Sequence, residues 1–392
     1  MSIALGRDGC SAFSRPLLVA INQYFKRSGT ATPSMHQEGL DLSRQEGEQI
    51  ASIMSRKVKD ACASLKAWAD RPVVLPAVRR EILDLHCGLE RWTNPSDYMR
   101  ELPTMDLEQR VNQFIAALGK VGVSAVTSYD CGEKSLDDVL LLLISHRVAS
   151  HEIQLANKSG NGELSLVQKC NLGDVAADAI RDCTQFCIEK NGAAPEVEVR
   201  PAGQLRAVEE LPPIVCVPSH AYYILVELLK NAMQSHINRY TSCCVEDSPP
   251  INLSIGYEDS GWTRLLVEDY GIGMTEQQLD EATKYLTTSI QEQAEEDVDS
   301  CNYSGSHGAA FHGLGMGVRM AKLHAQHSFF MGDITLSSSG LQEVLTFDEL
   351  VKQWQEQGQA AGDASVIDQM PHTVATAALF SFNSAHEAHT VQ

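Results

Sequence analysis

The chain has 392 residues, with 31 basic against 51 acidic side chains and a formal net charge of −20. That length exceeds one ordinary core and predicts two domains, and the charge argues against a nucleic-acid or anionic-membrane surface. No apolar run is long enough to cross a bilayer, and the 11 cysteines, with no C-x-x-C pair, fit scattered thiols in a reducing compartment better than a disulfide framework.

Residues 1–37 carry Arg7, Arg15, Lys26 and Arg27 against Asp8 alone, with several Ser and Thr. That is the composition of a matrix-targeting presequence or of a disordered basic leader. Apolar residues at helical spacing then predict helices over Ile50 to Ala69, Val78 to Trp92 and Asp106 to Leu118. A longer helix runs from Leu136 or Asp137 through Leu155, with Ser135 as its N-cap. Four amphipathic helices with short connections make a helical bundle over residues 48–170. The stretch Lys158-Ser159-Gly160-Asn161-Gly162 breaks the chain.

Residues 173–392 read as a second domain. A helix over Asp174 to Lys190 is followed by strands at Glu196 to Val199, Ile251 to Tyr257, Trp262 to Val267 and Gly332 to Leu336. The expected architecture is α+β: a four-helix bundle, then a two-layer α/β sandwich with a mixed sheet and helices on one face. Gln291 to Gly305 is acidic and aperiodic, and the stretch 289–312 around it reads either as a lid or as a plain solvated loop.

Three segments carry the chemistry. In Tyr222 to Ser235, YYILVELLKNAMQS, the apolar residues fall along one helix side, and Glu227 and Asn231 stack one turn apart on another. Such a carboxylate and amide can serve one small site, the Asn231 oxygen toward a cation and Glu227 as a proton acceptor; alone, the pattern equally suits a solvated stripe. Next, a buried strand ends in Asp269-Tyr270-Gly271-Ile272-Gly273. An aspartate there, followed by glycines that permit close backbone approach, suits an acceptor for an exocyclic amine, or else an ordinary turn. In the third segment, His312 and the alternating Gly313, Gly315 and Gly317 lead into a helix from Val318, presenting backbone N–H groups and a positive dipole end to phosphate. The spacing is not that of a dinucleotide fingerprint, and no acidic residue closes a βαβ unit afterwards.

At these residues the chain resembles the ATP-binding domain shared by gyrase, the heat-shock chaperone of that fold, histidine kinases and mismatch-repair ATPases. ELLKNAM, YLTTS at Tyr285 to Ser289 and HGLGMGVRMAKLHA bring it nearer to the mitochondrial protein kinases of 2-oxoacid dehydrogenase complexes. YILVELLKNAM and NGAAPEVEV favour the branched-chain branch over the pyruvate branch. The resemblance implies a protein serine kinase in the mitochondrial matrix that uses ATP and Mg²⁺ to inactivate the decarboxylase subunit of such a complex. It further implies a homodimer docked on the lipoyl-bearing core. Residue by residue, it makes Glu227 the catalytic base and Asn231 the Mg²⁺ ligand. Asp269 becomes the adenine acceptor, with Gly271 and Gly273 beside it. Gly313, Gly315, Gly317 and Val318 would surround the phosphates, with His312, Thr287 and Thr288 nearby and Thr376 on the phosphate side.

Departures from the family are visible. Tyr223 stands where pyruvate-directed members have a His, and Lys284 lies near a position where relatives hold potassium with an acidic residue. Ala375 replaces an expected glycine before a final strand at Ala377 to Phe382, and residues 341–371 look inserted. The tail from Asn383 lacks an aromatic anchor for a lipoyl partner. Lys230 is expected to point off the Glu227 face. Two other readings compete: a histidine kinase, because His151-Glu152-Ile153 has the look of a phosphoacceptor site, and a catalytically weak scaffold of the same fold.

Overall fold

The computed structural model describes residues 44–72, 74–102, 105–121, 130–157, 166–240, 245, 248–257, 262–285, 316–327, 332–340 and 375–383. The leader 1–37, the segment 289–312 and the insertion 341–371 lie outside the described residues. In chain order the elements begin with α1 (Arg44–Ala69), α2 (Pro76–Glu90), α3 (Pro95–Glu101), α4 (Leu107–Val121) and α5 (Asp130–Asn157). β1 (Gln168–Cys170), α6 (Leu172–Asn191), β2 (Val197–Gly203), β3 (Ile214–Cys216) and α7 (Pro218–Tyr240) follow. The last are β4 (Ile251–Tyr257), β5 (Trp262–Asp269), α8 (Glu276–Glu281), α9 (Gly317–His327), β6 (Asp333–Ser338) and β7 (Thr376–Asn383). By packing, the chain divides into two compact units: Met1–Gln168 with Lys284–Phe329, and Lys169–Thr283 with Phe330–Gln392.

In the first unit α1 packs against α5, α2 and α3, while α4 packs against α2 and α5. Ile50, Met54, Val58, Ala61, Leu65 and Trp68 recur every three or four residues along α1 and are all buried, as a helix with one apolar face requires. The short helix α3 is absent from the sequence reading, although its start is signalled: Pro95 occupies the first turn, and the Asn94 side chain accepts from Ser96 N at 3.1 Å. α3 delivers buried Tyr98, whose hydroxyl lies 2.8 Å from Nδ1 of His146 on α5. Burial pushes the His146 imidazole down to about 4.

Ser135 is not the N-cap expected from sequence. α5 begins at Asp130, so Ser135 sits inside the helix, and its hydroxyl donates to the Ser64 carbonyl of α1 at 3.0 Å. A small buried hydroxyl at a helix contact finds its acceptor on the neighbouring helix.

The segment from Lys284 to Phe329 also departs from the boundary expected at residue 173, because it belongs by packing to the first unit. α9 lies on α5, and one carboxylate, Asp137, holds both flanks of the segment. It accepts from Arg319 Nε at 3.0 Å, from a second Arg319 nitrogen and from the buried Tyr285 hydroxyl. The Arg319 guanidinium lies 5.4 Å from the Tyr285 ring centroid.

The second unit is built on a five-stranded sheet in the order β2-β4-β5-β7-β6, with β2 parallel to β4 and the other neighbours antiparallel. α6 packs on α7, and α7 packs on β5. This is the mixed sheet with a helical layer expected from the sequence. Alternation along β5 buries Thr263, Leu265, Val267 and Asp269. Their partners on β7 are Phe382, Phe380, Ala378 and Thr376. Asp269 is therefore the last position of an otherwise mostly apolar inward row. β1 and β3 form a separate two-stranded pair.

Candidate functional site

α7 is buried at His220, Tyr223, Ile224, Leu228, Leu229 and Met233, which fixes its rotation over the sheet. That rotation leaves Asn231 exposed and Glu227 only 8% exposed. Lys230 does not point away as the sequence reading expects. Its Nζ lies 3.1 Å from Glu227 Oε1, because residues three apart on a helix are neighbours and a long side chain can reach back.

One further turn along the same stripe is Ser235, which the sequence reading does not assign to the site. Its hydroxyl donates to Asp269 Oδ1 at 3.2 Å and accepts from Ile272 N at 3.0 Å. Its backbone carbonyl also accepts from Ile272 N, at 3.2 Å. Two more α7 side chains grip the same turn. His236 Nε2 accepts from Tyr270 N at 3.0 Å, and Arg239 donates to the Tyr270 carbonyl at 2.7 Å. Since Nε2 is the acceptor, the His236 proton sits on Nδ1, facing Ser248 Oγ at 3.2 Å. Burial keeps the ring neutral, down to about 3. The spacing i, i+4, i+8 from Glu227 was a usable signal for Ser235. Nothing local signals His236 and Arg239, which act on residues more than 30 positions away.

Asp269 is 5% exposed, and burial raises its carboxyl to about 6, against the opposing pull of hydrogen bonds from Gly271 N, Ser235 and Thr376. Gly271 N donates at 2.9 Å. A carboxylate offers roughly four acceptor positions, so capacity for one more donor remains. Thr376 lies directly opposite Asp269 in the β5–β7 register and hydrogen-bonds its carboxylate. Strand pairing thus sets Thr376 beside Asp269. Ala375, in place of a glycine, is accommodated, since its N–H donates to the Asp269 carbonyl at 2.8 Å.

The two glycines of the turn have structural reasons of their own. A Cβ on Gly271 would meet Ser235 Oγ at 2.0 Å, and one on Gly273, where φ is +72°, would meet the Gly340 carbonyl oxygen at 2.1 Å. Gly317 and Val318 open α9 in the first unit and are half-buried. Thr287, Thr288, His312, Gly313 and Gly315 lie outside the described residues. Among the described residues no cluster of three His, Cys, Asp or Glu side chains could hold a metal, and no helix is long and apolar enough to cross a membrane. Glu152, beside His151, accepts from Leu166 N at 2.8 Å, a structural use of that carboxylate.

The mixed five-stranded sheet with its helical layer gives the second unit the α+β architecture predicted from the sequence. No family model matches the chain. It is similar to the mitochondrial pyruvate dehydrogenase (acetyl-transferring) kinase of Drosophila melanogaster, 29% identical over 172 residues, covering 43% of this chain and 38% of that protein. It is also similar to isozymes 3 and 1 from Homo sapiens, each 27% identical, over 176 and 228 residues. Those matches cover 44% and 55% of this chain and 40% and 48% of the relatives. The chain thus spans less than half the length of these relatives. Among solved structures, a mycobacterial sensor histidine kinase, MprB, overlaps 55% of this chain and 97% of its own at 13% identity and a TM-score of 0.31.

Proposed function

We propose that this chain is a mitochondrial matrix protein kinase that transfers the γ-phosphoryl group of Mg-ATP to a serine on the decarboxylase subunit of a 2-oxoacid dehydrogenase complex. The observation that carries the reading is the α7 stripe. Glu227, Asn231 and Ser235 follow one another by single turns, and the last of them holds the buried Asp269. Eight residues of helix separate Glu227 from Ser235, about 12 Å, a span on the scale of an extended nucleoside triphosphate.

In this reading Asp269 accepts the adenine amine. Asn231 gives its oxygen to Mg²⁺, which takes most of its other ligands from phosphate and water; one exposed neutral oxygen fits that demand. Glu227 accepts the serine proton. Phosphoryl transfer has a loose transition state, so positioning and charge neutralisation carry the catalysis. The family resemblance adds a lid at 289–312, phosphate contacts from Gly313, Gly315, Gly317 and Val318, and a 48–170 bundle that docks a homodimer on the lipoyl-bearing core. The similarity to pyruvate dehydrogenase kinases supports a 2-oxoacid dehydrogenase target. The motif matches favour the branched-chain complex within that class.

The test presents purified branched-chain and pyruvate dehydrogenase complexes at equal concentration with labelled ATP, following label and residual activity together. Acid-stable label on one decarboxylase subunit, rising as flux falls, is expected. Acid-labile label on the chain itself would instead make it a histidine kinase. The Lys230–Glu227 ion pair favours one second reading, a scaffold in which Glu227 is structural; ATP binding with no label on any protein would establish that one.

A further inference from the structure

β1 and β3 pair side by side, and each ends in a cysteine. Cys170 Sγ and Cys216 Sγ lie 3.1 Å apart. Cys216 is buried, whereas Cys170 is half-buried. Each cysteine stands at the threshold of a helix. Asn171, next after Cys170, caps α6 by accepting from Gly173 N at 2.8 Å, and Pro218, two after Cys216, begins α7.

We propose that Cys170 and Cys216 are a peroxide-oxidisable dithiol, a modification site whose disulfide ties the start of α6 to the start of α7. The remaining cysteines described in this unit do not compete. Cys183 and Cys187 donate to the carbonyls of Val226 and Ala193, and burial raises both thiols, Cys183 to about 12. Cys170 is the less buried of the two, and its hydrogen bond with Cys216 lowers its thiol, so Cys170 is the attacking sulfur and Cys216 the resolving one. The Cys170 thiolate attacks one oxygen of hydrogen peroxide and the O–O bond breaks. Sulfenic acid remains on Cys170, and the departing hydroxide takes a proton to become water. Cys216, losing its proton, then displaces hydroxide from the sulfenic sulfur, the S–S bond forms and a second water leaves. Two thiols are oxidised by two electrons in all, and one peroxide is reduced to two waters. Neither sulfur belongs to the nucleotide residues, so this site stands or falls separately from the kinase reading.

The full chain, reduced and desalted, is treated with hydrogen peroxide, capped with iodoacetamide, digested without reductant and mapped by mass spectrometry. A linked peptide pair joining Cys170 to Cys216, lost on dithiothreitol treatment, is expected. In Cys216→Ser, Cys170 should stop at sulfenic acid and be captured by dimedone; in Cys170→Ser, Cys216 should be recovered as free thiol once the chain is unfolded. Recovery of Cys170 as free, alkylated thiol after excess peroxide would overturn the proposal, as would a linkage of Cys170 to any other cysteine. Should a serine variant fail to fold, the wild-type linkage map decides by itself.

Discussion

Replacing Gly271 by alanine tests whether α7 and the Asp269 turn meet as described. The new Cβ would lie 2.0 Å from Ser235 Oγ and 2.5 Å from the Ser235 Cβ and carbonyl carbon, so the far end of a flexible side chain cannot simply swing aside. Either the turn or the helix backbone must shift, an overpacking cost of about 2 kcal/mol. The shift also breaks the Ser235 hydrogen bond to Asp269, on the order of 1 kcal/mol more. At an ordinary urea slope, a loss of about 3 kcal/mol lowers the unfolding midpoint by roughly 1.5 M. Hydrogen exchange in peptides covering α7 and β5 follows this unit without interference from the other. The control is Gly192→Ala: φ is +83° there, but nothing lies within 4 Å of the added carbon. Only the left-handed backbone penalty of about 1 kcal/mol applies. Mg-ATP affinity should fall about tenfold or more in Gly271→Ala, since Asp269 moves, and stay unchanged in Gly192→Ala. Equal midpoints for the two variants would refute the close approach of helix and turn.

Glu227→Gln is nearly isosteric and should lower phosphoryl transfer by roughly two to four orders of magnitude. Calorimetry should show Mg-ATP affinity almost intact; unchanged transfer would leave Glu227 merely the partner of Lys230. On acidification from pH 7.5 to 5, the fold should weaken. His146 and His236 are held below the ordinary imidazole value, to about 4 and about 3, so below pH 6.5 the unfolded chain takes up protons first. His146 alone contributes on the order of 3 kcal/mol that is present above that pH and lost toward 4. Asp269, raised to about 6, works in the opposite sense and offsets part of the loss. Urea midpoints that stay flat across this range would contradict the burial of both imidazoles. Exchanging potassium for sodium at constant ionic strength should leave nucleotide affinity unaltered if Lys284 replaces a bound cation, whereas a strong potassium requirement would show that it does not.

Periodicity alone located the four long helices of the first unit and most strands of the second. Burial of one face leaves a direct imprint on residue spacing, as along Ile50, Met54, Val58 and Leu65. The end of β5 at Asp269 was legible too, because an apolar run there gives way to glycines. The stacking of Glu227 over Asn231 needed only the helical repeat.

Tertiary structure decided the rest. Ser135 looked like a cap until a longer helix carried it onto Ser64, and Tyr285 and Arg319 joined the first unit because one carboxylate on α5 serves both. Strand register set Thr376 beside Asp269, and Ser235, His236 and Arg239 found their partners only where α7 crosses the β5 turn. The physical reason is range. Propensity and amphipathic period are properties of neighbouring residues and are written in the sequence. The partner of a buried hydrogen-bonding group is chosen by which distant backbone reaches it at under about 3.5 Å, and that is fixed only once the helices and strands have packed.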